Sequence, residues 1–504
     1  MTTETTAKPL PKRHDRRRIL VLKSAIFSRF LLLSLTILWR FLLSPYDTSA
    51  PLNPSCLADP YPHPRPSPLF PSLGSAVEKG IVWDSVYFVR IAQCGYEYEQ
   101  SYAFLPLLPA CIFILSRTVF APLVPVIGLR AVLGLSGYVV SNGAFVLAAM
   151  YFYKLSVIIL KDPDVVLRAS IMFCFNPASI FYSSIYSESL YALFSVGGLY
   201  HLISGANTMA VIWLALSGCA RSNGVLNAGY FCFQTMHHAY DAIFLKKRKF
   251  LALWILITGA LRCICIFAPF IAFQAYGYYD ICHGRSLDEL SHWCKARIPL
   301  LYNYIQSHYW GVGFLRYFQV KQLPNFLLAS PILSLAVCSI VYYVKSRPKV
   351  VLSLGFQATI EEKSSSAPFF PPQAVQRMEG PLSDKASSIR QENHNLRKRK
   401  RVGQGKDLAE HRADHELSGK SGFLSAFVLP FMVHLGIMAA TAFFVMHVQV
   451  ATRFLSASPS LYWFASYVMV SPNTSKKWGY MIWAYYAAYI LLGSLLFSNF
   501  YPFT

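Results

Sequence analysis

The sequence predicts an all-α fold, a polytopic bundle of about 10 to 11 transmembrane helices whose loops carry short amphipathic helices. Three observations predict it. The 504 residues are 54% hydrophobic and 14% charged, with mean hydropathy +0.38, more apolar surface than a soluble globule can solvate. The apolar residues gather into stretches near the length of about 20 that a bilayer core demands. Basic residues collect in the gaps between those stretches, as topogenic charge does. The same composition excludes intrinsic disorder, a coiled coil and a secreted disulfide scaffold.

Taken in order, residues 1–23 carry seven basic and two acidic side chains and read as a cytoplasmic tail. Residues 25–43 are apolar over too long a stretch for a signal-peptide core, with no cleavage site directly after, and are expected to remain as an anchor. Residues 44–102, Pro-rich and then aromatic, form a first lumenal loop. Spans near 103–120, 131–157, 168–184, 188–205 and 209–233 bring the chain back to the cytosol, where Lys246–Lys249 reads KKRK. A span at 250–275 leads to a second lumenal loop, 276–322, and 323–344 leads back, completing a transmembrane region over 24–344. Residues 345–421 are polar, include RKRKR at Arg397–Arg401, and read as a disordered cytoplasmic loop. A C-terminal transmembrane region, 422–504, holds spans at 422–448 and 478–499. Its 457–471 segment is re-entrant in a ten-crossing arrangement and spanning in an eleven-crossing one; the sequon Asn473-Thr474-Ser475 is lumenal only in the former. The net charge of +22 is thereby explained by topology rather than by nucleic-acid binding.

Of eleven cysteines, seven lie in or beside apolar spans and serve as small hydrophobes. Cys56 and Cys94 fall in the first lumenal loop, and Cys282 and Cys294 in the second. Pairing within each loop and free thiols are both open, since spacing fixes no connectivity. No CxxC, HExxH or HxH spacing supports a metal site.

The segment 81–109 places Asp84, Glu97 and Glu99 among aromatic residues. At helical spacing Trp83, Tyr87 and Ile91 share a face with Val86 while Asp84 turns away beside Phe88, the pattern of an amphipathic helix lying on the bilayer surface. As a bare pattern it fits a membrane anchor with solvated carboxylates somewhat better than a site. Further along, Asn176, Glu188, Arg221 and Asn223 are embedded in apolar surroundings, where polar groups are costly unless partnered or facing a wet cavity. Glu188 also suits a helix cap, and Arg221 the boundary of a span.

These residues carry a resemblance. Trp83-Asp84, the F-x-x-I-A that follows and Gly95-Tyr96 resemble the first lumenal loop of the GPI mannosyltransferase II family. Segments FNPASIFYSSIYSESLYALF, ARSNG, YWGVGFLRYFQVKQLPNFLLASPI and TRFLSASPSLYW resemble further blocks of that family, in its order, across most of residues 20–504; 345–421 stands apart as an insertion. The resemblance implies a multi-pass GT-C glycosyltransferase of the endoplasmic reticulum. It would move mannose from dolichyl-phosphate-mannose, in α-1,6 linkage, to a GPI-anchor precursor in the lumen. Its partners would be these two lipid-linked substrates and membrane lipid, with room for a small accessory membrane subunit, and it would need no cofactor.

A β-linked donor and an α-linked product imply inversion by a single displacement, for which one carboxylate suffices because the phosphate leaves as a weak base. The resemblance makes Asp84 the general base, or else the residue that orients the acceptor. Phosphate calls for Arg, and Arg221, Arg316, Lys321 and Arg453 are the candidates, although interfacial snorkelling describes Arg316 and Lys321 equally. His308, Tyr309 and Trp310 suit stacking on a sugar or an interfacial belt. Trp83, Glu97, Glu188 and Asn223 complete the expected substrate-binding set. Two other classes compete. A transporter would show paired internal repeats, which are not found, and a non-catalytic subunit of a lipid-glycosylation complex would tolerate loss of Asp84.

Overall fold

The computed structural model describes residues 11–44, 46, 56–57, 67–283, 291–366, 368–371, 422–471 and 476–501. All regular structure among the described residues is helical. Among the described residues six helices are long and apolar enough to cross a membrane. They belong to α1 (Pro11–Leu42), α6 (Leu129–Leu160), α12 (Lys249–Cys282), α14 (Leu323–Ser346), α17 (Leu429–Phe444) and α20 (Lys476–Ser498). The expected count of ten or eleven is therefore not matched by helix length. Several segments read as single spans are broken by Pro, Asn or Gly into shorter helices.

Two breaks set the architecture. The segment 168–184 divides into α7 (Pro163–Cys174) and α8 (Ser179–Ser183) around Asn176-Pro177, since Pro cannot continue the helical hydrogen bonding. The carbonyls this exposes are met by Arg29 of α1, whose guanidinium donates to Cys174 O at 3.3 Å and Ser179 O at 3.1 Å and lies 3.7 Å from the Phe145 ring. The segment 209–233 divides into α10 (Asn207–Ala220) and α11 (Ala228–Tyr240), joined by a 3₁₀ turn over Ser222–Asn227. Gly224 is demanded there, because a Cβ would lie 2.3 to 2.4 Å from the backbone of Ser217 and Gly218.

The segment 103–120 is not one straight helix. It forms α4 (Leu107–Arg117), bent by 69° against the segment that ends in α5 (Val124–Ile127), and both ends return to the region of the first loop. Leu69 and Phe70 donate backbone hydrogen bonds to Pro125 and Val126, and Tyr138 of α6 donates to Gly80 O at 2.8 Å. Helix α6 starts at the Asp84 end of the bundle and runs to the end where Arg17 pairs with Asp164.

The core is helix on helix, with α9 (Glu188–Ile203) packed closely between α6 and α10. Gly197 and Gly198 allow this approach, since a Cβ on either would strike Trp213 or Leu214. Helix α2 (Pro71–Glu78) packs beside the first turns of α6. Helix α3 (Ser85–Cys94) departs from expectation: Phe88, Val89, Ile91 and Ala92 are buried and it packs against α4 and α6 rather than lying on a bilayer surface. Both loop disulfides, Cys56–Cys94 and Cys282–Cys294, are formed.

The stretch expected to be disordered begins as folded chain. Helices α15 (Pro348–Leu352) and α16 (Ile360–Ser365), the latter opened by a Thr359–Glu362 capping box, lead to Phe369 and Phe370, both fully buried. Two Phe side chains stabilise such a strap by about 2 to 3 kcal/mol each, which polar composition averaged over the whole stretch concealed. Residues 372–421 lie outside the described residues, as does the Asn473 sequon.

Candidate active site

Asp84 is the N-cap of α3, yet its side chain makes no capping bond and faces a cavity of about 210 Å³. The backbone before it is unusual, since Trp83 takes φ +54°, a left-handed conformation that a bulky residue adopts only when its surroundings compel it. The indole does so by donating from Nε1 to Phe497 O of α20 at 3.1 Å, while the Asp84 N–H donates to the Tyr186 hydroxyl at 3.1 Å. The carboxylate is thus aimed by two anchors behind it.

Four charged groups meet at this point. Arg453, on α18 (Ala451–Leu455), donates from Nη1 to Asp84 Oδ2 at 3.2 Å, and its Nε lies 3.8 Å from Glu188 Oε1. Glu188, the first residue of α9, is ion-paired on its other side with Arg221, which ends α10 in extended conformation. The chain Asp84–Arg453–Glu188–Arg221 alternates in sign. Glu188 is 2% exposed and its negative charge sits at a helix N-terminus between two guanidiniums; Asp84, at 36%, is the acid open to the cavity. Burial opposes the charged form of Arg453, but Asp84 and Glu188 outweigh it and hold its pKa above the ordinary value, so it stays cationic. The Tyr186 and Phe181 rings lie 5.6 and 5.3 Å from its guanidinium carbon.

Aromatic rings also line the cavity. Tyr87 stacks on Phe104 at 4.6 Å, and Trp310 meets Phe104 edge-on at 6.4 Å. Tyr302, on α13 (Leu301–His308), shares a hydrogen bond with Ser222, and Gln306 and His447 complete the rim. A carboxylate, guanidinium N–H groups and flat apolar rings around one small space can hold a sugar, anchor an anion beside it and accept a proton.

Of the expected residues, the structure brings Asp84, Glu188, Arg221, Arg453 and Trp310 together. It does not bring in the others. Trp83 faces α20 and acts behind the site. Glu97 is paired with Arg90 at 2.6 Å and accepts from Leu57 N, tying down the Cys56–Cys94 loop. Asn223 is buried within the 3₁₀ turn, His308 stacks on Tyr304 at 4.9 Å, and Arg316 and Lys321 are exposed on the connection to α14. Tyr87 was read only as part of a helix face, and Tyr186, Ser222, Tyr302 and His447 were not singled out by sequence, because single Tyr, Ser and His residues in an aromatic-rich chain carry no pattern.

A family model described as Mannosyltransferase (PIG-V) matches residues 17–504. The chain belongs to this family. It is therefore a glycosyltransferase of mannose, held in a membrane by several apolar helices. Among similar proteins, the GPI alpha-1,6-mannosyltransferase 2 of Rattus norvegicus is 28% identical over 472 residues, 89% of this chain and 84% of its own. That of Homo sapiens is 28% identical over 477 residues, covering 90% and 85%. The GPI mannosyltransferase 2 of Drosophila melanogaster is 27% identical over 472 residues, covering 84% and 86%. A solved oligosaccharyltransferase from Archaeoglobus fulgidus matches at 11% identity over 86% of this chain and 56% of that one, with a TM-score of 0.36, too distant a likeness to carry an argument.

Proposed function

We propose that this chain transfers mannose from dolichyl-phosphate-mannose, in α-1,6 linkage, to the first mannose of a GPI-anchor precursor. The site end of the bundle faces the lumen of the endoplasmic reticulum and the N-terminus faces the cytosol. The names of the relatives support a GPI acceptor and the α-1,6 linkage, the family resemblance supports the donor, and the basic N-terminal segment supports the orientation. The observation that carries the mechanism is the position of Asp84, open to the cavity and bonded by Arg453 through Oδ2, with no bond to Oδ1 among the described residues.

In this reading Asp84 Oδ1 accepts the proton of the acceptor hydroxyl as its oxygen attacks the anomeric carbon. The bond from that carbon to the phosphate oxygen breaks on the opposite side, inverting the centre. Dolichyl phosphate departs with the electron pair, and its charge is met by guanidinium N–H groups of Arg453 and Arg221. The proton passes from Asp84 to water. Because the guanidiniums supply the positive charge, the step as drawn requires no metal. Tyr87, Phe104 and Trp310 supply the flat surfaces for the sugar rings.

The test is mannosyl transfer in microsomes from cells lacking their own enzyme, supplied with dolichyl-phosphate-mannose. The wild-type chain should add the second mannose, and Asp84→Asn at matched expression should lose it by about 10²-fold to 10⁴-fold. Equal transfer by both would remove Asp84 from the base role. No transfer by the wild type would sink the proposed reaction.

A further inference from the structure

A second cavity, of about 220 Å³ and with several polar residues in its lining, lies at the far end of α10 from Arg221. Asn207 opens α10 and Arg221 follows its last residue, so the two cavities are separated by about 20 Å of helix. Asn207, Gln234, Thr235, His238, Thr258 and Arg262, from α10, α11 and α12, line it. Three buried polar atoms there have no hydrogen-bond partner among the described residues: Asn207 Oδ1, Gln234 Oε1 and His238 Nε2. The Gln234 amide cannot be turned to relieve this. Its Nε2 donates to Pro368 O at 2.6 Å, and a carbonyl accepts only from that nitrogen, so Oε1 is left over on a residue 8% exposed. The Thr258 hydroxyl is already spent on Trp254 O and Ile255 O. Arg262 has no carboxylate partner among the described residues.

Orphaned acceptors cost stability unless something fills their valence. Asn207 Oδ1 and Gln234 Oε1 are two acceptors beside one cation, and the neutral His238 imidazole is a third in the tautomer that carries its proton on Nδ1. The complementary ligand is a primary ammonium, with three N–H donors, joined to a phosphate. The surroundings indicate where it comes from. Trp254 and Tyr240, each within about one turn of the cavity residues, are exposed, KKRK follows α11, and Leu253, Leu256, Ile257 and Leu261 of α12 present apolar side chains outward. That sequence of basic, aromatic and apolar levels is the profile of a bilayer interface, where headgroups lie.

We propose that this cavity binds the headgroup of an ethanolamine phospholipid, Arg262 taking the phosphate and Asn207, Gln234 and His238 taking the ammonium. A choline headgroup has no N–H to donate, and a serine headgroup would bring a carboxylate toward three acceptors. The inference is independent of the reaction proposed at Asp84.

The test uses the full chain in nanodiscs of phosphatidylcholine containing a minority of phosphatidylethanolamine, followed by gentle delipidation and mass analysis of the retained lipid. Wild type should retain the ethanolamine lipid over the choline lipid by about tenfold, the value of one charge-assisted hydrogen bond. His238→Phe and Asn207→Ala should bring the two lipids to near equality, with monodispersity and helical circular dichroism confirming that the variants fold. Arg262→Gln should lower retention of both. Added soluble phosphoethanolamine should not displace the lipid; displacement would reassign the site to a free metabolite and overturn the lipid as occupant. Equal retention of both lipids by wild type would mean a cavity filled by water only. An ethanolamine preference that survives in both His238→Phe and Asn207→Ala would place the lipid elsewhere.

Discussion

Arg453 stands 369 residues beyond Asp84 in sequence, and its Nη1 lies 3.2 Å from Asp84 Oδ2. The same guanidinium, through Nε, is 3.8 Å from Glu188. One cation therefore joins the acid open to the cavity to the acid sealed behind it. Removing it affects the two in different ways.

Arg453→Gln leaves Glu188 buried with Arg221 as its one remaining ionic partner and should destabilise the chain by about 3 to 5 kcal/mol, the cost of breaking a buried pair. Adding Glu188→Gln should recover part of that loss, because the unpaired charge is then gone. Transfer activity should not return, since the cation beside Asp84 is still missing. Thermal unfolding in detergent and microsomal transfer, measured on both single variants and the double, separate the two effects. Additive stabilities would contradict the network.

Trp83→Phe keeps a ring against Phe500 but removes the hydrogen bond to Phe497 O. The stability loss should be small, about 1 kcal/mol. The activity loss should be larger than that figure suggests, and should fall on kcat rather than KM, because Trp83 aims Asp84 without touching substrate. An unchanged kcat would show that the strained backbone at Trp83 does not position the acid.

Gly224→Ala would press a methyl into the backbone at Ser217 and Gly218, which cannot swing aside as a side chain can. It should destabilise by about 1 to 3 kcal/mol and shift Arg221 and Ser222 from the cavity. Gly229→Ala, where nothing lies within 4 Å, is the control and should be neutral or slightly stabilising. Comparable losses in the two would argue against the tight turn.

His447 sits on the cavity rim, stacked on Tyr317 at 4.6 Å. Burial lowers its pKa below the ordinary 6.5, a hydrogen bond to the Trp310 backbone partly opposing this. The folded chain therefore resists protonation that the unfolded chain accepts. The stability this residue contributes is present above about pH 6.5 and is lost as pH falls below it. His447→Gln should flatten the decline in melting temperature between about pH 7 and 5. An identical decline in the variant would assign the acid sensitivity to other groups.

By itself the sequence determined that this chain is helical and membrane-bound, because hydropathy and the placing of basic residues are sums over local composition. Asp84, Glu188, Arg221 and Arg453 were also legible, since an ionisable group in apolar surroundings is conspicuous and, at Asp84, lies in a matched motif. Their order could not be read. Pairing of Asp84 with Arg453 and of Glu188 with Arg221 depends on where α3, α9, α10 and α18 cross, and long-range packing leaves no local trace. The same reason governs what was misplaced. Hydropathy averages across Pro177 and Gly224 alike and so joins helices that the backbone must break, and it does not register the 69° bend that follows α4. Glu97 and Arg316 have the charge a substrate site needs but are carried elsewhere by the Arg90 pair and an exposed connection. Tyr186 enters the site from the turn between α8 and α9, and Tyr302 from α13 in the second loop, placements that only the tertiary structure decided.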